Sequence, residues 1–167
     1  MKPDPDARPS VGSTSPGFAI VFFALALAIV LFLAVDLAAD VVARMSIRGQ
    51  APDVAIREHL QLVRLQLVGT AILALPFIGL ALIGLPVMRN RGGVAGVVFL
   101  VGGALLLGVA YGVGYQQVAH AMSQRHWTAA ALSQAFIVVM CLPMLLVAFV
   151  LARFVGNGRG SGDRPQA

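Results

Sequence analysis

The chain has 167 residues, of which 59% are hydrophobic and only 11% are charged. A soluble domain carries roughly 25% charged residues and leaves much of its surface in water, so this composition argues against a soluble enzyme or a nucleic-acid-binding domain. The net charge of +5 does not indicate nucleic acid, because its 12 lysines and arginines are spread over loops and tails. The single cysteine excludes a disulfide framework.

Polar tails enclose four long apolar stretches. Residues 1–16 and 156–167 are rich in Pro, Gly and polar residues and are predicted to be disordered tails. Long apolar runs satisfy their backbone in lipid only as helices, so residues 17–155 are predicted to form one all-α domain. The expected fold is an integral membrane four-transmembrane-helix bundle with both termini on one side. Its predicted spans are residues 18–43, 65–88, 94–118 and 128–152, all with approximate ends.

The first apolar run, residues 18–35, contains no charged side chain. At 1.5 Å per residue it extends ~27 Å, close to the thickness of the hydrocarbon core. The apolar region of a secretory signal peptide is normally only ~7–15 residues long. An uncleaved membrane anchor is therefore favoured over a signal peptide.

An amphipathic helix is predicted at about 52–64, before the second span. Pro52 and Asp53 suit the first turn of a helix. Polar and apolar side chains then recur at helical spacing on two different faces. The polar residues are Asp53, Arg57, Gln61 and Arg64, and the apolar residues are Ile56, Leu60, Val63 and Leu67. We expect residues 52–88 to form one helix of ~55 Å, whose first turns project from the membrane or lie at its interface.

A weak internal similarity relates the two halves of the chain. Residues 42–48 resemble residues 118–125 with one insertion, and a Leu-Pro pair at 75–76 recurs at 142–143. One hypothesis is two tandem helical hairpins that form a parallel pseudo-repeat about an axis along the membrane normal. Chance similarity between apolar helices is the alternative.

Polar side chains in the spans gather at one end of the bundle, opposite the termini. The candidate pocket for a ligand or ion consists of Asp36, Asp40, Arg64, Tyr111, Tyr115 and Gln116. In the functional interpretation, Asp36 or Asp40 accepts a proton or cation and Arg64 supplies the counter-charge. In the alternative, these are ordinary helix-end residues, Asp40 pairs with Arg44, and the tyrosines belong to an aromatic belt.

The three histidines are weak candidates for a metal site. His59, His120 and His126 are all expected at the polar end of the bundle, but their spacing matches no metal motif. His120 and His126 are six residues apart and do not share a helix face. No metal site is predicted, and the sequence identifies no cofactor.

The third span is rich in small residues and is predicted to be the central helix. Ala104, Gly108 and Gly112 recur at every fourth position. Gly108 and Gly112 form one GxxxG pair, and Gly92 and Gly96 form another. Small residues let helix backbones approach closely in lipid. The stripe indicates contact with another membrane protein or a second copy of the chain, and packing within the bundle is the alternative.

The sequence contains no nucleophile–base pair or other catalytic constellation, which argues against an enzyme. We expect a non-enzymatic accessory, assembly or partner-binding subunit in the lipid bilayer. The alternative is a small oligomeric transporter or ligand-binding protein that uses the pocket around Asp36, Asp40 and Arg64. Seven of the 12 lysines and arginines lie on the side of the termini. The positive-inside rule therefore predicts cytoplasmic termini, in a bacterial-type inner membrane or a plasma membrane.

Overall fold

The computed structural model describes residues 16–91 and 93–158, and within these ranges every secondary-structure element is a helix. Four of the five helices are long and apolar enough to cross a membrane. The predicted class, an all-α membrane protein with four spans, is therefore confirmed. The helices are α1 (Pro16–Arg48), α2 (Pro52–Leu65), α3 (Leu67–Arg91), α4 (Gly93–Ser123) and α5 (Trp127–Gly158). The predicted tails at 1–15 and 159–167 lie outside the described residues.

The two middle spans form the centre of the bundle. Helix α4 contacts α1, α3 and α5, and α3 also contacts both α1 and α5. Within the described ranges, α1 and α5 do not contact each other. The flanking helices α1 and α5 thus lie on opposite sides of an α3–α4 core. The prediction that the third span, now α4, is central is confirmed.

Three aromatic rings join α1, α3 and α4 in the core. Phe32, Phe77 and Tyr111 are almost fully buried. Their ring centroids lie 5.4 to 6.2 Å apart, in tilted or edge-to-face geometry. Aromatic pairs in such geometry contribute about 0.5–1.5 kcal/mol each beyond the area they bury. Because lipid tails are as apolar as the helices, this close packing is what holds the spans together.

Glycines bring the central helices close to their neighbours. A Cβ atom at Gly96 would lie 2.9 Å from the Met88 Cα atom of α3, which is closer than real Cβ atoms approach. A Cβ atom at Gly103 would overlap Leu80, and one at Gly114 would overlap Ile137 of α5. Of the four residues predicted for helix packing, Gly96 therefore makes contacts inside the bundle, and Ala104 packs against the buried core.

The predicted continuous helix over residues 52–88 is wrong, because the chain breaks at Gln66. The backbone of Gln66 has φ −121° and ψ 48°, outside the helical region. Its N–H still donates to the Leu62 carbonyl at 2.9 Å, and its carbonyl accepts from the Thr70 N–H at 2.9 Å. The break lets α2 turn one face toward α1 while α3 stays in the bundle. The predicted hairpin repeat remains a prediction.

Replacing Gly96 by alanine should destabilise the protein, since the added methyl group meets the α3 backbone. Overpacking of this kind costs about 1–3 kcal/mol in the free energy of unfolding. The matched control is Gly102→Ala on the same helix, where a Cβ atom meets nothing within 4 Å. Unfolding in mixed detergent micelles, followed by circular dichroism, measures both variants. Equal stability of Gly96→Ala and Gly102→Ala would contradict the packing described.

Candidate functional site

Charged side chains are buried together at one end of the bundle. The buried charged or polar residues with described side chains are Asp36, Asp40, Arg44 and His59. The first three recur every fourth residue on α1 and therefore share one helix face. We use the term charged cluster for these four residues together with Glu58 of α2 and Tyr115 of α4.

Arg44 joins α1 to α2 through two carboxylates. Its Nε atom donates to Asp40 Oδ1 at 2.9 Å, one helical turn away. Its Nη1 atom donates to Glu58 Oε2 of α2 at 2.6 Å. The Gln50 amide, in the loop between the helices, also donates to Glu58 at 3.3 Å. Hydrogen bonds between charged groups are roughly twice as strong as neutral ones, so Arg44 is a strong link between α1 and α2.

The His59 ring lies between the two aspartates of α1. Its Nδ1 atom is 2.9 Å from Asp40 Oδ2, and its Nε2 atom is 3.5 Å from Asp36 Oδ2. On the other side of Asp36, the Tyr115 hydroxyl donates to Oδ1 at 2.5 Å. Asp36 is only 1% exposed. The two carboxylates thus connect α1 to both α2 and α4.

Burial makes the loss of one partner in these contacts costlier than the loss of one partner in an ion pair at the surface. Removing one partner of a buried pair typically costs about 3–5 kcal/mol, because the other charge is left without compensation. The pair between Asp53 and Arg57 on α2 has a similar length, 2.7 Å, but both side chains are about 70% exposed. An exposed pair contributes about 0–1 kcal/mol. The charged cluster therefore dominates the polar energetics of this end of the bundle.

The structure brings together some of the predicted pocket residues, but the counter-charge of the aspartates is Arg44 and not the predicted Arg64. Asp36, Asp40 and Tyr115 meet, but Arg64 is exposed and takes no part in the charged cluster. Arg44 pairs with Asp40 in its place, as the helix-end alternative expected. Five residues along a helix are a rotation of ~140°, so when His59 faces α1, Arg64 faces away from it.

Tyr111 and Gln116 also lie outside the charged cluster. The Tyr111 ring neighbours Tyr115, with centroids 6.5 Å apart, but its hydroxyl donates to the Leu73 carbonyl of α3. Leu73 lies three residues before Pro76, where the proline weakens the helical hydrogen-bond ladder. Gln116 is exposed, at one end of a groove between α1 and α4.

The three histidines do not come together. His59 is buried in the charged cluster, whereas His120 and His126 are exposed beyond the end of the bundle. Among the described residues, the hydrogen-bond partner of the His120 ring is the Gln124 amide, whose Nε2 atom lies 3.0 Å from the ring Nε2 atom. Among the described residues, no three His, Cys, Asp or Glu side chains are arranged to hold a metal ion.

Sequence reasoning predicted the pair of Asp40 and Arg44 as the alternative, and missed the contact of Arg44 with Glu58 and the role of His59. The spacing of four and eight residues between Arg44 and the two aspartates places all three on one helix face. His59 and Glu58 gave no comparable signal, because their contacts depend on how α2 folds back along α1.

Three of the predicted packing residues line an apolar groove between α1 and α4. Ala104, Gly108 and Gly112 are half-buried, and a Cβ atom at Gly108 or Gly112 would meet nothing within 4 Å. The groove continues along α4 from Leu100 to Gln116, a length of ~24 Å at 1.5 Å per residue. We call this surface the α1–α4 groove. Its walls on α1 are formed by Leu31, Val35, Ala38, Ala39, Val42 and Ala43.

Comparisons of the chain with protein-family models, with curated proteins and with solved structures found no match.

Replacing Asp40 by asparagine should lower the free energy of unfolding by about 3 kcal/mol, because Arg44 and His59 both lose a buried carboxylate. The matched control is Asp53→Asn, which removes an exposed carboxylate with an ion pair of similar length. That change should stay within about 0.5 kcal/mol of the wild type. Detergent-micelle unfolding measures both. Comparable losses in the two variants would show that burial does not strengthen the charged cluster.

Proposed function

We propose that this protein is a non-enzymatic membrane subunit that assembles with a transmembrane helix through the α1–α4 groove. The observation that supports this is the contrast between two sets of glycines on α4. Gly96, Gly103 and Gly114 face close neighbours inside the bundle, whereas Gly93, Gly102, Gly108 and Gly112 face open space, and of these Gly108 and Gly112 line the groove. Glycines that serve no internal contact are expected where a second backbone approaches.

A transmembrane helix fits the dimensions and chemistry of the α1–α4 groove. Its length of ~24 Å is close to the ~30 Å thickness of the hydrocarbon core. The residues that line it are apolar except for Gln116 at one end. In lipid, helices associate by close packing over small residues rather than by hydrophobic exclusion from water. A helix with bulky apolar side chains would fill the space above Gly108 and Gly112.

A second copy of the chain is the occupant that the surface of α4 favours. On the α4 side of the groove, Val101, Leu105 and Val109 form a ridge of side chains that are each more than half exposed. A two-fold dimer uses the same patch on both subunits, so it requires a surface that complements itself. Because α4 presents both a ridge and a groove at similar depths, two copies can interlock along it.

The charged cluster supports a second candidate, a small oligomeric transporter or ligand-binding protein. Asp36 and Asp40 are buried carboxylates in a membrane protein, and such groups often bind protons or ions. The side chains of the charged cluster bond to one another, which favours a structural role over the binding of a ligand. Among the described residues, the Gln50 Oε1 atom is the one buried side-chain polar atom without a hydrogen bond. For this reason the subunit proposal comes first.

The four spans support an integral membrane location, for which we propose a bacterial-type inner membrane or a plasma membrane. The excess of basic residues on the side of the termini supports cytoplasmic termini, since positively charged loops are retained inside. In this orientation the charged cluster lies toward the outer face of the membrane.

Filling the α1–α4 groove should abolish assembly while leaving the bundle folded. In lipid nanodiscs, native mass spectrometry of the wild type should give twice the chain mass of 17.4 kDa. Gly108→Leu should give a monomer, because its side chain occupies the space of the partner helix. Gly102→Leu is the matched control, since this glycine also faces open space but lies outside the groove.

A monomeric wild type, or a Gly108→Leu variant that remains dimeric, would overturn the proposal. A complex with a different membrane protein that is lost in Gly108→Leu would support the groove and overturn the second copy as its occupant.

The second candidate predicts that Asp36 is needed for ion movement. In liposomes loaded with a pH-sensitive dye, the wild type should dissipate an imposed pH gradient faster than protein-free liposomes. Asp36→Asn should reduce that rate to the protein-free value, and Asp53→Asn should leave it unchanged. Equal rates with and without the wild-type protein would eliminate proton transport.

A further inference from the structure

Helix α2 has little apolar anchoring in the bundle. Its buried residues are Ala55 and His59, one of them small and the other polar. Its apolar side chains Ile56 and Leu60 are 38% and 51% exposed, and Val54, Leu62 and Val63 are only half-buried. A helix that buries so little apolar surface depends on its polar contacts for its position.

Those polar contacts all involve the charged cluster. Glu58 accepts from Arg44, and His59 lies between Asp36 and Asp40. These are the charged groups that face His59 from α1, and Glu58 is its charged neighbour on α2. Helix α3, the other element packed against α2, has no ionisable side chain between Leu67 and Met88. The position of α2 therefore depends on ion pairs and hydrogen bonds with α1.

Breaks in the backbone flank α2 on both sides. Before it, Gly49 has φ +63°, a conformation that glycine adopts without strain. After it, Gln66 leaves the helical region at ψ 48°. Breaks of this kind are where backbone angles change when a segment such as this 14-residue helix moves as one body.

We propose that α2 is a hinged lid over the carboxylates of α1, and that the charged cluster keeps it closed. Opening removes His59 and Glu58 from the cluster and admits water to Asp36 and Asp40. The bond from Tyr115 to Asp36 is retained, because it joins α1 to α4 and does not involve α2. The lid does not depend on the α1–α4 groove, so either proposal can fail without the other.

Distances between spin labels test the lid in the full-length protein. With Cys141 replaced by alanine, one pair of cysteines at Gln61 and Gln117 reports α2 against α4. A second pair at Ser46 and Gln117 reports α1 against α4. All three labelled positions are exposed. The closed protein should give one narrow distance for each pair.

Arg44→Gln removes both ion pairs of the guanidinium and should open the lid. The α2–α4 distance should then become broad and longer, while the α1–α4 distance remains that of the wild type. Arg57→Gln is the matched control, because it removes an exposed ion pair of α2 outside the charged cluster. It should leave both distances unchanged.

If Arg44→Gln fails to fold, Glu58→Gln tests the same contact from the less buried side and should also broaden the α2–α4 distance. Unchanged α2–α4 distances in the folded cluster variants would overturn the proposal. Equal broadening of both distances would also overturn it, because the cluster would then hold the whole bundle rather than a lid.

Discussion

The burial of three charged side chains on one face of α1 is the constraint on which this end of the structure depends. Asp36, Asp40 and Arg44 are each less than 10% exposed, and a charge buried without a partner costs several kcal/mol. Arg44 and Asp40 compensate each other within α1. The other carboxylate oxygens need hydrogen-bond partners from other helices, which are His59 on α2 and Tyr115 on α4. The charged cluster thus fixes where α2 folds back and how α1 is aligned with α4.

The same constraint explains which face of α2 lies against α1. Its apolar side chains Ile56 and Leu60 point outward, and Ala55 and His59 face the bundle. The charged side chains Asp53, Arg57 and Arg64 are exposed as well, so the orientation of α2 is set by the contacts of His59 and Glu58 with α1. Elsewhere the bundle buries large apolar side chains, so that on α4 Phe99 and Leu107 lie in the core beside the glycines and the Tyr111 ring.

Sequence was sufficient for the spans and insufficient for the contacts between them. The four apolar runs predict the transmembrane helices directly, because only a helix satisfies so long an apolar backbone in lipid. The break at Gln66 was missed, since neither proline nor glycine stands there and the cause is the docking of α2 on α1. Arg64 was predicted as the counter-charge because it lies at the same depth in the membrane as the aspartates. Its side chain points away from the charged cluster, and that direction depends on the packing of His59 against α1, which the sequence does not show.

The most direct test is a double-mutant cycle between Asp40 and His59, whose side chains join α1 and α2 inside the protein. Each single change to leucine strands a buried polar partner, whereas the double change removes both groups. We expect the double variant to be more stable than the sum of the single losses by at least about 1 kcal/mol in the free energy of unfolding. The same cycle on the exposed pair of Asp53 and Arg57 should give a coupling near zero. A coupling near zero between Asp40 and His59 would contradict the account.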